Sequence, residues 1–331
     1  MDKVNWGIIG CGDVTEIKSG PAFNKVKNSS LIAVMRRDGE KAKDYAQRHN
    51  VPKWYDNAGE LINDPDINAI YVATPPSSHE EYTLAAISAG KPVYVEKPMS
   101  VDALSAWRMA SVAKEKNIKL VVAHYRRGQQ LFNKVRQLIH EKAIGETRFA
   151  HSAIYKKAVT DTEMANPSRA WRVDKEIAGG GLFNDLSPHQ LDLMYYFFGE
   201  PVKASGFAVN QSNQYPAEDI VAGNIVFKSG VLFNGIWCFN VAPELEKDHC
   251  EIVGDKGKIE FSFFEQKPIL LTIGGKTESL VFEPLQHVQQ PMIENVVNYF
   301  LDKGPNPCSG EEGVRIMELI DAFNLNKPIN T

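Results

Sequence analysis

The sequence predicts an α/β protein in which a doubly wound parallel sheet of the Rossmann type is followed by an α+β domain with an open, mostly antiparallel sheet. Short apolar runs alternate with helical stretches as far as Ala123, a pattern typical of parallel βαβ units. From Arg148 onwards, apolar side chains recur at every second position, which indicates antiparallel strands. The chain of 331 residues has room for two domains. We expect a dinucleotide-binding domain over residues 1–123 and a domain for substrate binding and oligomerisation over residues 124–331.

The first predicted strand ends in a glycine-containing turn. An apolar run over residues 4–9 leads into the motif Gly-Cys-Gly, and a helical stretch follows. Gly10 permits the tight turn, and Gly12 lets the backbone approach a pyrophosphate that amides at the next helix N-terminus would stabilise. The third fingerprint position is Thr15 instead of glycine, so a plain strand-to-helix turn stays an alternative. The predicted cofactor contacts at this turn are Gly10, Cys11, Gly12, Asp13 and Val14.

The second predicted strand, over residues 31–36, ends at two consecutive arginines. Arg36 and Arg37 stand where a dinucleotide fold contacts the ribose 2′ position of the adenosine. NAD sites usually place a carboxylate there, whereas guanidinium groups attract a 2′-phosphate through charge-assisted hydrogen bonds. We therefore predict NADP as the cofactor, with NAD less favoured. The alternatives are that both arginines are solvated, or that Asp38 contacts the ribose.

The remaining elements of the first domain place further motifs at the same edge of the sheet. The predicted strands are 6–10, 31–36, 69–74, 92–96 and 120–123, and the predicted helices are 39–50, 78–89 and 103–116. Ligands of such sheets bind outside the carboxyl ends of the strands. The later strand ends carry Thr74-Pro75-Pro76, Glu96-Lys97-Pro98 and His124-Tyr125-Arg126.

The second domain is predicted to contain one sheet with helices on one face. Its predicted strands are 148–155, 204–211, 220–227, 231–239, 250–253, 257–261 and 269–273. Its predicted helices are 131–141, 188–198, 292–301 and 311–323, of which the last three are expected to cover the sheet. The other face, with side chains such as Phe233, Ile236 and Phe239 on alternate faces, needs cover, and self-association is one source of it. We expect a homodimer or homotetramer assembled through this sheet.

A glycine run in the second domain precedes an acid and a histidine four residues apart. Gly179, Gly180 and Gly181 lead into Asp185 and His189. Together with Lys97, these side chains supply what is needed to move a proton while a hydride moves. Ser187 and Pro188 suit the cap and the first turn of a helix, so Asp185 and His189 are expected to lie on either side of a helix start.

Composition and charge exclude several other classes of protein. A net charge of −4 gives no basic excess for nucleic acid, and no apolar run is long enough to cross a membrane. We expect a cytoplasmic protein without a secretory leader. The four cysteines are scattered without C-x-x-C pairs, which indicates reduced thiols. The histidines show no metal-binding spacing, so no metal is predicted.

These motifs, in this order, make the chain resemble the Gfo/Idh/MocA oxidoreductases over nearly its whole length. The marks are the N-terminal Gly10-Cys11-Gly12, then Ala73-Thr74-Pro75-Pro76 with His79, Glu96-Lys97-Pro98, the glycine run with Asp185 and His189, and Ser309-Gly310-Glu311-Glu312-Gly313. The resemblance implies a dinucleotide domain, an open-faced α+β domain, and substrates that are usually sugars, polyols or related hydroxy compounds.

The resemblance also implies a role for individual residues. Lys97 is similar to the family lysine that contacts the nicotinamide ribose and the reacting oxygen, His189 to the general acid/base, and Asp185 to its partner or to a ligand of a substrate hydroxyl. A Trp-Arg pair resembles one found near the nicotinamide in NADP-linked members. The further cofactor contacts expected are Thr74, Pro75, Pro76, His79, Glu96, Lys97, Trp171 and Arg172. The expected substrate contacts are Lys97, His124, Arg126, Tyr155, Arg172, Asp185 and His189.

The function expected from these residues is hydride transfer between NADP and a hydroxyl or carbonyl carbon of a carbohydrate-like substrate. Two alternatives remain open: a regulator that binds a dinucleotide without catalysis, and a glycosidase that uses a tightly bound cofactor for transient oxidation. Each catalytic candidate also has a structural alternative, since Lys97 would suit the surface, His189 a buried hydrogen-bonding position and Asp185 a helix N-terminus. The sequence leaves the substrate, its stereochemistry and the direction of reaction open.

Overall fold

The computed structural model describes residues 1–166, 170–324 and 329–330. The chain forms two compact units, and the first consists of Met1–Gln129 and Leu285–Met317. The second consists of Gln130–Pro284 and Glu318–Thr331. The boundary predicted from the sequence is a single one after Ala123, whereas the chain returns to the first unit near its end.

The elements are numbered in chain order over the described residues. The α-helices are α1 Asp13–Ile17, α2 Gly39–Arg48, α3 Ala58–Asn63, α4 His79–Ser88, α5 Ala103–Glu115, α6 Gln130–His140, α7 Asp161–Met164, α8 Lys175–Ala178, α9 Leu182–Phe198, α10 Gln290–Phe300 and α11 Gly310–Asn324. The strands are β1 Val4–Ile9, β2 Ser29–Met35, β3 Lys53–Tyr55, β4 Ala69–Val72, β5 Val93–Val95, β6 Leu120–Val122, β7 Thr147–Lys157, β8 Pro201–Val209, β9 Ile220–Phe227, β10 Leu232–Val241, β11 Lys247–Gly254, β12 Gly257–Phe261, β13 Ile269–Ile273, β14 Lys276–Leu280 and β15 Ile329–Asn330. No helix in this part of the chain is long and apolar enough to span a bilayer.

The first unit contains a parallel sheet with the strand order β3-β2-β1-β4-β5-β6. The chain order reverses between β1 and β4, as in a doubly wound Rossmann sheet, so the fold class predicted for this part is confirmed. Hydrogen bonds continue past the strand ends, from Gly10 N–H to the Met35 carbonyl and from Ala73 N–H to the Ile9 carbonyl. The Glu96 amide in turn donates to Val72. The predicted strand-end motifs therefore lie along one edge of this sheet.

Helix α10 belongs to the first unit, although the sequence analysis expected it to cover the second sheet. Its Phe300 ring lies 5.5 Å from the ring of Trp6 on β1, and the ring of Phe23 lies 4.8 Å from that of Trp6. All three side chains are almost fully buried. An amphipathic helix can bury its apolar face against either sheet, so the pattern of α10 alone did not identify its partner.

The second unit contains a nine-stranded sheet in the order β14-β13-β12-β11-β7-β10-β9-β8-β15. Only the pairing of β7 with β10 is parallel among the strand pairs of the described residues, which confirms the mostly antiparallel sheet. Helix α9 packs on one face, where the Phe183 ring lies edge-to-face with Trp237 at 5.1 Å. The end of α11 packs on the same face, because Gly223 on β9 leaves room for the Phe323 ring.

The opposite face of this sheet carries exposed apolar side chains. Phe207 on β8 is 74% exposed and Leu232 on β10 is 53% exposed. Phe233 and Phe239, two of the residues named for alternate faces, are instead buried. Since side chains alternate along a strand, the register given by Trp237 in the core directs Phe233 and Phe239 inwards as well.

Candidate active site

The glycine turn after β1 has the geometry of a nucleotide-binding loop. Gly10 has φ = +95°, and a Cβ there would lie 2.8 Å from the Thr74 amide nitrogen, so no other residue fits without strain. Gly12 has an extended backbone with φ = −141°, and a Cβ there would meet nothing within 4 Å. Gly12 therefore borders open space, as a backbone that receives a pyrophosphate requires.

Cys11, between these glycines, is 1% exposed, and burial raises the pKa of its thiol to about 11. A thiol with that pKa is protonated near neutral pH and is a poor nucleophile. Its backbone carbonyl accepts a hydrogen bond of 3.4 Å from Arg36 Nη1. Asp13 and Val14 begin α1 directly after the turn.

The carboxylate that follows the arginine pair in sequence caps a helix. Asp38 is the N-cap of α2 and accepts a hydrogen bond of 3.2 Å from the Lys41 amide. It also forms an ion pair with Lys41 Nζ at 3.1 Å. Arg36 is half-buried against the Cys11 carbonyl, and Arg37 is exposed. The guanidinium of Arg36 is therefore the charged group held beside the glycine turn.

The buried His79 contacts the backbone of the motif that follows β4. Thr74 and Pro75 are half-buried, whereas Pro76 and His79 are buried. The ring nitrogens of His79 lie 2.7 Å from the Thr74 carbonyl oxygen and 3.0 Å from the Pro98 carbonyl oxygen. His79 has no exposed surface, so it holds two strand ends together and does not present its side chain to a ligand.

Lys97 follows a buried carboxylate that three hydrogen-bond donors hold in place. Glu96 is 5% exposed, and its Oε1 accepts hydrogen bonds from the Tyr71 hydroxyl at 2.5 Å and from Gln289 Nε2 at 2.7 Å. Its Oε2 accepts a hydrogen bond of 3.1 Å from the Lys97 amide. Burial raises the pKa of Tyr71 well above its usual value, so the hydroxyl stays a donor. This network fixes the backbone of Lys97, whose side chain is half-exposed.

The residues after β6 lie in a short 3-10 helix, Tyr125–Gly128. His124 and Arg126 are 2% and 8% exposed, and the Arg126 guanidinium lies over the Tyr125 ring at 5.4 Å. The buried Arg127 forms an ion pair of 2.6 Å with the partly exposed Glu312 of α11. That ion pair ties the strand end to the Ser309–Glu312 segment, the last of the motifs that mark the resemblance.

Helix α9 begins at Leu182, immediately after the glycine run, and not at Pro188 as the sequence analysis expected. Gly181 is the N-cap, and Pro188 lies inside the helix. A proline there leaves the carbonyl of residue 184 without its usual helical donor, which made a helix start at Pro188 the simpler prediction. Asp185 and His189 consequently lie one turn apart on the same helix face, and not on either side of its start.

Arg172 connects the segment before the glycine run to Asp185. Its Nε donates a hydrogen bond of 3.1 Å to Asp185 Oδ2, and its guanidinium lies over the Trp171 ring at 4.5 Å. Both charged side chains are partly buried. The stacked, ion-paired arginine fixes the orientation of the carboxylate that lies one turn before His189.

Tyr155 is half-buried near the end of β7, and the ammonium group of Lys247 lies 6.0 Å from its ring centroid. The geometry of the second unit thus groups Trp171, Arg172, Asp185 and His189, whereas Tyr155 lies on a strand of the sheet.

Two family models match most of the chain. The model described as "Oxidoreductase family, NAD-binding Rossmann fold" matches residues 4–124, and the "GFO/IDH/MocA C-terminal domain" matches residues 132–260. The chain belongs to the GFO/IDH/MocA oxidoreductase family. The resemblance stated from the motifs is therefore confirmed, and the chain is a nicotinamide-dependent enzyme.

Several named proteins are similar to this GFO/IDH/MocA protein over two thirds of its length or more. It is 45% identical to "Oxidoreductase P35" of Formosa agariphila over 97% of this chain and 98% of that protein. It is 30% identical to 1,5-anhydro-D-fructose reductase of Ensifer adhaerens over 69% of this chain and 67% of that protein. The aldose-aldose oxidoreductase of Caulobacter crescentus, solved with glycerol, shares the fold, with a TM-score of 0.86 and 23% identity over 99% of this chain and 100% of that one.

The first unit of this family member fits a dinucleotide. Open space at Gly12, where the backbone of the turn is extended, is the observation that matches a pyrophosphate. Sequence reasoning missed Tyr71 and Gln289, which hold Glu96. The only sequence signal for Gln289 was a polar run before α10, which does not indicate a buried partner 193 positions earlier.

Proposed function

We propose that this GFO/IDH/MocA enzyme is an NADP-dependent oxidoreductase that interconverts a hydroxyl and a carbonyl group on a sugar, a polyol or a related small hydroxy compound. The observation that carries the proposal is the arrangement on α9, where an ion-paired carboxylate and a histidine lie one turn apart. The names of an anhydrosugar reductase and an aldose oxidoreductase among its relatives support the substrate class.

The preference for NADP is supported by the charges at the end of β2. The carboxylate of Asp38 is committed to the Lys41 amide and ammonium groups, so it is poorly available to a ribose hydroxyl. Arg36 and Arg37 are then the groups left to bind a 2′-phosphate, which guanidinium groups bind strongly.

Each residue proposed for catalysis has a separate role. Bound NADP supplies the acceptor or donor of the hydride. The Lys97 ammonium stabilises the negative charge that develops on the reacting oxygen, and its backbone is fixed by Glu96. His189 takes the hydroxyl proton during oxidation and returns it during reduction. Asp185, held by Arg172, orients the imidazole or holds a neighbouring substrate hydroxyl.

The test compares Lys97→Met and His189→Asn with matched controls. Lys114→Met removes a lysine from α5, and His151→Asn removes a histidine from β7. Each catalytic variant is expected to lower kcat by about 10² to 10⁴-fold while NADPH still binds in calorimetry. The controls are expected to turn over like the parent. If Lys97→Met and His189→Asn also do so, the assigned roles are wrong.

The same purified protein distinguishes the glycosidase alternative. A glycosidase with a permanently bound cofactor would retain NADP at full occupancy through purification and would produce no net redox change with its substrate. An enzyme that exchanges its cofactor would be purified with little of it and would convert NADPH to NADP in proportion to substrate.

Assembly and location are part of the proposal as well. The exposed Phe149, Phe207 and Leu232 on the outer face of the second sheet support a homodimer or homotetramer formed through that sheet. Light scattering on the parent and on Phe207→Ser tests it. The variant is expected to dissociate at a protein concentration at which the parent is still assembled. Four buried thiols support a cytoplasmic location.

A further inference from the structure

A loop of the second unit places an aromatic ring against His189. The ring of Phe264 lies edge-to-face with the imidazole, with centroids 5.6 Å apart and an interplanar angle of 77°. His189 is 5% exposed, whereas Phe264 is only partly buried. Phe264 lies between β12 and β13, far in sequence from α9 and from every motif considered above. One part of the Phe264 surface thus meets His189 and another part meets solvent.

A buried carboxylate holds the backbone on which Phe264 lies. Asp248 on β11 is 5% exposed, and its Oδ1 accepts a hydrogen bond of 2.9 Å from the Phe263 amide. Its Oδ2 accepts hydrogen bonds from the Phe264 amide at 2.6 Å and from the Glu265 amide at 2.9 Å. Charge-assisted bonds of this kind are about twice as strong as neutral ones. Three consecutive amides on one carboxylate fix the conformation of the loop.

The neighbouring side chain anchors the loop in the core. Phe263 is 2% exposed, and its ring lies 5.3 Å from the ring of Phe261 at an angle of 71°. The Ser262 hydroxyl donates a hydrogen bond to the Glu265 carbonyl and closes the turn. Because Phe263 is directed into the core, the next residue, Phe264, is available to His189. The ring of Phe264 is therefore pre-organised before any substrate binds.

A fixed aromatic ring beside an acid/base histidine has two chemical consequences. The edge-to-face contact limits rotation of the imidazole and excludes water from one side of it. The accessible part of the Phe264 side chain is a flat apolar surface. Binding a ligand to it costs little side-chain conformational entropy, because an aromatic ring has few rotatable bonds. Cyclic sugars and polyols present C–H groups on one face of their ring, and such a face matches a flat apolar surface. An open-chain polyol has no such face.

We propose that Phe264 positions His189 and receives the C–H face of a cyclic polyhydroxy substrate, with Asp248 holding the loop in place. The substrate part rests on the proposed function, whereas the contact between Phe264 and His189 does not. The proposal narrows the substrate class from hydroxy compounds in general to cyclic ones.

The experiment uses Phe264→Ala and Asp248→Asn, with Trp107→Ala and Asp255→Asn as matched controls. Trp107 is a 58% exposed ring on α5. Asp255, in the same unit as Asp248, accepts a hydrogen bond of 2.9 Å from the Glu146 amide. KM and kcat are measured for cyclic polyols and sugars and for open-chain alditols of equal carbon number. The ring C–H resonances of His189 are titrated by NMR in each variant.

Phe264→Ala is expected to raise KM for cyclic substrates by about tenfold, to change KM for open-chain substrates by less than about twofold, and to shift the His189 resonances and their titration. Asp248→Asn is expected to act in the same direction, and the controls to change neither quantity. An equal rise in KM for both substrate classes would overturn the substrate part. Unchanged His189 resonances in Phe264→Ala would overturn the positioning part. If the parent turns over no sugar or polyol with either cofactor, the proposed function fails, and the resonances still decide the contact.

Discussion

Gln289 donates a hydrogen bond of 2.7 Å to Glu96, which lies 193 positions earlier in the chain, and both side chains are buried. Gln289 comes from the segment that returns to the first unit, and its own amide donates to the Lys18 carbonyl at 3.2 Å. The neighbouring His287 lies 2.6 Å from the Ile17 carbonyl oxygen through Nδ1. The returning segment thus connects the end of α1, which follows the glycine turn, to the carboxylate beside Lys97.

Gln289→Leu is expected to destabilise the protein by about 1–3 kcal/mol, because it removes a donor from a buried carboxylate. The loss is measured by urea denaturation followed by fluorescence. Gln286→Leu is the matched control, since Gln286 contacts Lys25 at the surface of the same segment. Equal stability of the two variants would contradict the importance of the buried bond. We also expect a lower kcat in Gln289→Leu. Glu96, which accepts a hydrogen bond from the Lys97 amide, would lose the hydrogen bond from Gln289 that helps to fix it.

The two glycines of the nucleotide turn are expected to respond differently to alanine. Gly10→Ala places a Cβ at φ = +95° against the Thr74 backbone, so it is expected to lose about 1–3 kcal/mol of unfolding free energy. Gly12→Ala fits the extended backbone and is expected to leave stability within about 0.5 kcal/mol of the parent. It fills the space next to the turn, so NADPH affinity is expected to fall by at least about tenfold. Thermal melts and calorimetric titration separate the two effects, and tight NADPH binding by Gly12→Ala would argue against a pyrophosphate at this turn.

The cofactor preference is expected to depend on Arg36. Arg36→Asp is expected to weaken NADPH binding by about 10 to 100-fold and to leave NADH binding unchanged or stronger, because the 2′-phosphate loses a charge-assisted partner. Calorimetric titration with both cofactors measures the change. Lys43→Asp on α2 makes the same change in charge at an exposed position and serves as the control. Equal affinity of the parent for NADPH and NADH would show that the arginine pair does not select the cofactor.

Glu16 on α1 is expected to make stability depend on pH. Its carboxylate forms two hydrogen bonds of 2.8 Å with Arg48, and chiefly these lower its pKa from 4.5 to about 2. A carboxylate with a lowered pKa contributes stability above its unfolded pKa and loses it as the pH falls towards the folded pKa. Glu16→Gln is therefore expected to be less stable than the parent at pH 7, with the gap narrowing between pH 4.5 and 2. Urea midpoints between pH 7 and pH 3 measure this, with Glu40→Gln as control, and a gap that widens on acidification would contradict it.

Local patterns predicted the elements whose partners are close in sequence. The buried strands β1, β4 and β5 are short apolar runs bounded by turns, and their order follows from the βαβ alternation. Strands β3 and β14 were not predicted. Strand β3 has only three residues at the sheet edge, and β14 is almost wholly exposed, so neither shows a run of buried apolar residues. The start of α9 was missed because three glycines and an internal proline favour a loop, and packing against Trp237 overrides that preference.

The same distinction applies to the candidate site. Strand-end motifs such as Glu96-Lys97 were found because the topology of a parallel sheet brings them to one edge. Gln289 and Phe264 were not, since each reaches its partner through a long-range contact that no local spacing encodes. Asp185 was identified from the sequence, but its ion pair with Arg172 was not. The helix begins at Leu182 and not at Pro188, and Asp185 therefore lies in its first turn.

The ion pair of Arg172 with Asp185 is expected to behave as one functional group. Its atoms lie 3.1 Å apart, both side chains are partly buried, and Trp171 stacks on the guanidinium. Arg172→Gln leaves Asp185 without its charged partner, and Asp185→Asn leaves Arg172 without its own. Each single variant is expected to lower kcat/KM by about tenfold or more.

The double variant Arg172→Gln with Asp185→Asn is expected to lose no more than the worse single variant, because the interaction is already absent in either one. Arg172→Lys is expected to restore little, since an ammonium group reproduces neither the Nε hydrogen bond nor the stacking on Trp171. Arg148→Gln with Asp255→Asn removes an ion pair of 3.2 Å from the surface of the same unit and is expected to leave kcat/KM unchanged. Losses that simply add in the Arg172 and Asp185 cycle would show that the two side chains act independently, and Arg172 would then be assigned to direct binding of a ligand.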